Sequence, residues 1–334
     1  MTKLNYFADT SVLPRSTLTE LFFTAVDENP SRVAFERMIS EDDLHSLSYT
    51  EVLSEVQKVS SALRSNGIAR GDRVAILSEN RTEWALADYG CLCTGVIDVP
   101  IYPTLTASQV AYVLRDSGSK LVFTSSLEQV TKVLEAANEC PQEIQIVLFD
   151  SLPEVPRGVC AWEEFLESGG LGISTAVSDE DFRNSALAAS PDDVATIIYT
   201  SGTTGAPKGV MLTHNNIASN VRICSNVLPV VGGVDNTISF LPLSHILQRT
   251  ADYLFFSAGC RIGYARSMPT LIQDMAVIRP SVVASVPRIY EKIYNNVMGV
   301  RGIKRVLVNW AAGVADRVAD LRLDGLEPSG VLAL

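Results

Sequence analysis

Between residues 71 and 149, short apolar runs alternate with stretches whose apolar positions recur every three or four residues. The runs lie at Gly71 to Leu77, Gly95 to Pro100, Leu121 to Thr124 and Gln145 to Phe149. Helical spacing covers Glu83 to Cys91, Ala107 to Asp116 and Leu127 to Asn138. A strand apolar along its whole length must be covered on both faces. Strands that alternate with helices are joined by crossovers and lie parallel. The order therefore predicts an α/β fold, with parallel sheets flanked by helices.

The flanks fit this frame. Thr17-Leu18-Thr19-Glu20 carries a capping box and opens a helix through Val26. Val33 to Glu36 reads as a strand. A second helix follows Leu47-Ser48-Tyr49-Thr50, has Val52, Val56, Val59 and Leu63 on one face, and stops at Asn66-Gly67. Residues 151–190 carry prolines, glycines and many acidic and hydroxyl residues around one short helix near Trp162 to Leu166. They read as a surface connection. The expected subdivisions are 1–150 (α/β part), 151–190 (connection) and 191–334 (second α/β part).

The second part alternates again. Helices are expected over His214 to Val227, Ser244 to about Ala258, Met268 to Ile278 and about Val306 to Leu321. Strands are expected at Asn236 to Leu243, Cys260 to Tyr264 and, buried, Ser281 to Val286. Pro287 suits a first helical position. The Ile289, Ile293 and Val297 stripe behind it reads as core packing.

One segment carries chemistry. Tyr199-Thr200-Ser201-Gly202-Thr203-Thr204-Gly205-Ala206-Pro207-Lys208-Gly209 follows the apolar run Val194 to Ile198 and precedes Val210-Met211-Leu212. Glycines let backbone N–H groups approach an anion, hydroxyls add donors, and the lysine adds a mobile positive charge. Such a loop suits a polyphosphate. It is not a Walker A loop, because Lys208 is followed by Gly209 and Val210 rather than by Ser or Thr.

Composition narrows the class. The chain has 334 residues, 47% of them hydrophobic and 19% charged, and a formal net charge of −11. That balance opposes general binding to nucleic acid or to an anionic membrane, yet a few local groups suffice for one phosphate chain. Six scattered cysteines and three histidines show no zinc-ligand spacing, so the cysteines read as free thiols in a reducing compartment. No apolar signal core and no membrane-spanning run is visible, and a cytoplasmic protein is expected.

Tyr199 to Gly209, Leu241-Pro242-Leu243-Ser244-His245 and Val286-Pro287-Arg288-Ile289-Tyr290-Glu291-Lys292-Ile293-Tyr294 form an ordered set. Together they resemble the AMP-forming adenylating enzymes: acyl-CoA synthetases, luciferases and the adenylation domains of peptide synthetases. The third segment is similar to the long-chain acyl-CoA synthetase branch. Gln248 departs from that branch, which carries Glu before the arginine found here as Arg249.

The resemblance implies the large N-terminal domain of the luciferase-like acyl-adenylating fold. It also implies two half-reactions. A fatty acid carboxylate attacks the α-phosphate of Mg-ATP, and coenzyme A then displaces AMP. Thr200, Ser201, Gly202, Thr203, Thr204, Gly205, Lys208 and Gly209 would hold the β- and γ-phosphates, with Thr204 reaching Mg²⁺ through them. His245 would lie where the acyl, ATP and thiol channels meet, or would simply satisfy a helix N-terminus. Arg288 and Tyr290 read first as ion-pairing and packing residues, His214 as a helix start, and His45 as a solvated residue in a charged turn.

The family's later blocks, with the magnesium-holding Glu, the ribose-binding Asp and a small C-terminal domain bearing a catalytic lysine, are not found. The expectation is a fragment that is inactive alone, prone to self-association or homodimer formation, and open to peripheral membrane contact. Two other readings stay open. One is an adenylate-forming ligase for another carboxylic acid. The other is a non-catalytic nucleotide-binding module.

Overall fold

The computed structural model describes residues 14–38, 44–169, 178–200, 206–300 and 302–329. Its elements run α1 (Leu18–Glu28), β1 (Val33–Met38), β2 (Leu44–Ser48), α2 (Tyr49–Ser65), β3 (Arg73–Leu77), α3 (Thr82–Thr94), β4 (Ile97–Ile101) and α4 (Ala107–Ser117). They continue β5 (Leu121–Thr124), α5 (Leu127–Ala137), β6 (Gln145–Leu148), β7 (Val159–Ala161), α6 (Trp162–Ser168), α7 (Asp179–Leu187), β8 (Val194–Thr200) and β9 (Lys208–Thr213). The last are α8 (His214–Val227), β10 (Asn236–Ser239), α9 (Ile246–Ser257), β11 (Arg261–Tyr264), α10 (Leu271–Ile278), α11 (Pro287–Met298) and α12 (Ile303–Leu323). The chain divides into two units, Met1–Ala284 and Ser285–Leu334.

The first unit holds two sheets. One has seven strands in the order β7-β6-β5-β3-β4-β8-β9, the other four in the order β10-β11-β1-β2. Each is parallel except for one antiparallel pair, β8 with β9 and β1 with β2. The expected α/β architecture is therefore present, as mixed and mostly parallel sheets.

Strand pleat explains the layering. Along β3, Val74 and Ile76 face one core cluster while Ala75 and Leu77 face another. The first cluster joins strands of both sheets to α1, α2, α3 and α9. The second packs α4 and α5 on the outer face of the large sheet. Helix α3 is buried at twelve of its thirteen positions, as a helix between layers must be. It meets α2 closely at Gly90, where an added Cβ would fall 2.3 Å from Val59 Cγ1. At the centre Phe22 stacks on Phe256 with ring centroids 5.5 Å apart, and the Tyr49 hydroxyl donates to the Phe256 and Cys260 carbonyls at 2.9 Å.

Capping chemistry sets the helix starts that the sequence suggests. Thr17 with Glu20, Ser48 with Glu51, Thr106 with Gln109 and Thr213 with Asn216 each close a reciprocal cap.

Several readings change. The 151–190 segment contains β7, which extends the large sheet, and α7 as well as the expected helix. Ser281 to Val286 is not a strand. Val282 makes a single bridge to Thr237, and Ser281 is held instead in a bend by Asn236 and Asp235. On the α11 stripe Ile289 is half-buried and Val297 is 48% exposed, so core packing does not hold at Val297; the Ile293 side chain lies outside the described residues. Cys91, Cys93 and Cys260 are buried and the other three cysteines half-buried, all free thiols. No helix among the described residues is long and apolar enough to cross a membrane.

Candidate functional site

Parallel sheets expose their ligand-binding crevices at the carboxyl ends of their strands. Here two of the three sequence motifs leave from such ends. Strand β8 lies parallel beside β4, and β4 beside β3. Its end at Thr200 therefore opens on the same edge as the residues that follow β3 and β4. The chain returns as β9, with Thr200 opposite Lys208 and Tyr199 opposite Gly209. The candidate phosphate loop is thus the connection of a β-hairpin, with Thr200 and Lys208 exposed at its base. Ser201, Gly202, Thr203, Thr204 and Gly205 lie outside the described residues. Gly209 is required by space, because a Cβ there would approach Ile197 Cγ2 to 2.8 Å and the Tyr199 ring to 3.2 Å. Two phenols fasten the hairpin to α4. The Tyr112 hydroxyl donates to the Pro207 carbonyl at 2.9 Å, and the Tyr199 hydroxyl to Asp116 Oδ2 at 2.6 Å.

The second motif follows β10. Asn80, just beyond β3 in the other sheet, holds it from three sides. Asn80 Nδ2 donates to the Leu241 carbonyl at 2.6 Å and to Ser239 Oγ at 3.2 Å, while Asn80 Oδ1 accepts from the Leu243 amide at 2.9 Å. One side chain thereby ties the edges of both sheets together. His245 is the N-cap of α9. Its Nδ1 accepts from the Leu247 amide at 3.1 Å, its ring is exposed, and the Nε2–H remains as a donor.

The next turn of α9 is buried and polar. Gln248 accepts from the Leu241 amide at 3.3 Å and donates to Asp252 Oδ1 at 2.6 Å. A glutamate would face Asp252 with a second carboxylate, whereas the amide can accept and donate at once. Arg249 donates to Thr196 Oγ1 at 2.8 Å, to Asp98 at 2.8 Å, and to Asp88. It joins α9 to α3, β4 and β8, the strand that feeds the phosphate loop. Burial pushes the Asp98 carboxyl up to about 7, and Asp88 is raised by burial too, although Arg249 draws both down. Two carboxylates against one guanidinium leave an excess acid in a dry core.

Asp252 is raised to about 7, first by burial, against the pull of Gln248 and Ser239. A carboxyl whose folded pKa lies above its unfolded value binds more protons folded than unfolded. Stability from that group is present at low pH and falls as pH rises from about 4 to about 7. The slope is about 1.4 kcal/mol per pH unit within that window. Asp252→Asn is therefore expected to gain stability relative to the unsubstituted protein as pH rises, read by urea denaturation at pH 4.5, 6 and 7.5. Parallel profiles would contradict the assignment. His214 acts with the opposite sign. It is pushed down to about 4 by burial, so its share is lost as pH falls from 6.5 toward 4, equally in both proteins.

Between the two sheet edges runs a groove. A cavity of about 340 Å³ is lined by Arg37, Arg81, Asp150 and Tyr264, among others. An adjoining one of about 210 Å³ is lined by Pro103, Phe240, Pro242 and Met268. They share Glu79, Asn80, Ala265 and Arg266. The groove's arginines are spoken for: Arg37 pairs with Glu83, Arg81 with Glu83 and Asp150, and Arg266 with Asp274. Among the described residues no group of three or more His, Cys, Asp or Glu stands together as a metal site.

Other candidates separate from this edge. His214 starts α8 as expected, 2% exposed, with Nδ1 accepting from the Leu18 amide at 3.2 Å. His45 is exposed, but on strand β2 rather than in a turn. Arg288 and Tyr290 lie in the first turn of α11. Tyr290 is 62% exposed, so packing does not explain it. Asn80, Tyr112 and Asp116 were not singled out by the sequence. Asn80 had a usable signal, because Glu79-Asn80-Arg81 is a polar run at the carboxyl end of a buried strand.

The AMP-binding enzyme family profile matches residues 22–320. The chain belongs to the AMP-binding enzyme family. Among relatives of the chain, the long-chain-fatty-acid–CoA ligase FadD15 of Mycobacterium bovis is 31% identical over 296 residues, 88% of this chain and 48% of the relative. The peroxisomal long chain acyl-CoA synthetase 7 of Arabidopsis thaliana is 33% identical over 260 residues, 75% of this chain and 35% of the relative. The chain thus spans about half the length, or less, of these curated relatives. In fold it is similar to the crystal structure of the long-chain-fatty-acid-CoA ligase FadD1 from Archaeoglobus fulgidus. The TM-score is 0.71 at 19% identity, covering 86% of this chain and 55% of that one. It is also similar to the N-terminal domain of FACL13 from Mycobacterium tuberculosis, with a TM-score of 0.65 at 23% identity, covering 83% of this chain and 64% of that one.

Proposed function

We propose that this chain supplies the nucleotide-holding and carboxylate-facing parts of an AMP-forming fatty acid–CoA ligase. The observation that carries the reading is one of placement. A Gly- and hydroxyl-rich hairpin with Lys208 at its base leaves the carboxyl edge of one sheet, and the segment bearing His245 leaves the carboxyl edge of the other. Asn80 holds those two edges together. The fatty acid substrate is supported by the relatives at about 30% identity, a long-chain-fatty-acid–CoA ligase and a long chain acyl-CoA synthetase.

In this reading Thr200, Ser201, Gly202, Thr203, Thr204, Gly205, Lys208 and Gly209 grip the β- and γ-phosphates of ATP. Thr204 would be the candidate protein contact for magnesium held on those phosphates, where the ion would neutralise their charge. A carboxylate oxygen attacks the α-phosphorus and the bond to pyrophosphate breaks, which turns a poor acyl donor into a mixed anhydride. The thiol of coenzyme A then attacks the acyl carbon and AMP leaves. The protein's share is positioning and charge neutralisation. His245 offers Nε2–H as a donor toward the carboxylate, with the ring fixed by its helix cap.

We further propose that the 334-residue polypeptide binds nucleotide without completing turnover, given the share of its relatives that it spans. Pyrophosphate release with ATP, Mg²⁺ and a fatty-acid panel checks both parts. ATP binding strengthened by a long-chain fatty acid, with no sustained release, is the expected result. Robust release would overturn the proposed inactivity. Release driven only by an aryl or amino acid would overturn the substrate class.

A further inference from the structure

The base of the hairpin carries the argument furthest. Backbone pairing of Thr200 with Lys208 closes the base of the seven-residue connection. Both of its ends are also fastened to one helix. Tyr112 and Asp116 are four residues apart on α4 and so share a face. Tyr112 donates to the Pro207 carbonyl, Asp116 accepts from Tyr199, and the two phenol rings meet edge to face with centroids 6.3 Å apart.

Helix α4 is a firm anchor. It starts in a reciprocal cap at Thr106, ends at left-handed Gly118, and buries Val110, Ala111, Val113 and Leu114 in the outer core. Pro207 has no N–H and a ring-restricted φ, so its carbonyl is its one backbone handle. Holding that oxygen sets the Pro207–Lys208 peptide plane, and with it the direction in which Lys208 leaves the loop.

We propose that Tyr112 and Asp116 are positioning residues for the phosphate loop, with α4 acting as the post on which the loop's two ends are hung. The proposal rests on the nucleotide-binding reading above. It makes the outer-face helix part of phosphate affinity without touching phosphate.

The test uses the full polypeptide with Tyr112→Phe, which removes one hydroxyl, Asp116→Ala, which removes the acceptor, and Asp116→Asn, which keeps an oxygen. Tyr49→Phe serves as comparator, since it breaks two core hydrogen bonds far from the loop. Three readouts are taken: hydrogen exchange of peptides covering residues 196–212, Kd for ATP and AMP, and melting temperature. Tyr112→Phe and Asp116→Ala are expected to raise hairpin exchange and to weaken ATP binding about two- to tenfold. AMP binding and melting should hold, and Asp116→Asn should restore the parent values. Tyr49→Phe should lower melting with hairpin exchange unchanged. Exchange and ATP affinity equal to the parent in Tyr112→Phe would overturn the proposal. If the parent binds no ATP, the functional reading fails, and parental exchange in Tyr112→Phe then overturns the pin on its own.

Discussion

Arg249→Met is expected to destabilise the first unit by about 3–5 kcal/mol, the range for breaking a buried ion pair from one side. The reason is what the substitution leaves behind. Asp88 and Asp98 are 1% and 0% exposed, and without the guanidinium they face each other in a core from which neither can move. Thr196 Oγ1 and the Tyr253 hydroxyl lose their shared partner as well. Methionine fills much of the volume, so the loss is electrostatic rather than a cavity effect. Against a typical total of about 5–15 kcal/mol, it brings the unit near unfolding at ambient temperature. The sign of its pH dependence is fixed. Removing the cation raises both carboxyls further, so the deficit should shrink as pH falls toward 4, where protonation neutralises them. Chemical denaturation at pH 4.5 and 7.5 reads this directly. A deficit below about 1 kcal/mol at pH 7.5 would mean that the cluster is not what joins α9 to β8.

Lys208→Ala is expected to weaken ATP binding about 10- to 150-fold, the equivalent of one charge-assisted hydrogen bond. The change should be selective. Lys208 is exposed and pairs with Thr200 through backbone, so melting should stay within the small range of surface substitutions. If the lysine grips only the outer phosphates, ATP affinity should fall and AMP affinity should not move. Isothermal titration of both nucleotides against both proteins separates these outcomes. Equal losses for ATP and AMP would place the lysine elsewhere on the ligand.

Much of the fold is legible because it is written locally. The β3, β4, β5 and β6 strands are short apolar runs, and capping residues such as Thr17 with Glu20 mark helix starts at a spacing of three. The misses have physical causes. Strand β2 is largely exposed and β7 has three half-buried residues, so neither carries a hydrophobic signal; each exists because a neighbour offers a free edge. Ser281 to Val286 has strand composition, but side-chain bonds from Asn236 and Asp235 divert its first residue.

At the site the loop was legible from its glycines, hydroxyls and lysine. Its supports were not. Asn80 reaches Leu241 across 161 residues, Tyr112 reaches Pro207 across 95, and Tyr199 reaches Asp116 across 83. No local pattern encodes such pairs. Arg249 was legible as the arginine of the long-chain pattern but not as a buried one, although at 1% exposure it is the most deeply buried cation among the described residues.

The central claim is that the hairpin between β8 and β9 is a working polyphosphate site. Calorimetric titration of the purified polypeptide with Mg-ATP, alongside AMP, tests it most directly. The account predicts saturable, one-to-one ATP binding tighter than AMP binding, with the difference reduced about 10- to 150-fold by Lys208→Ala. Absence of ATP binding, or ATP binding that Lys208→Ala leaves unchanged, would contradict it.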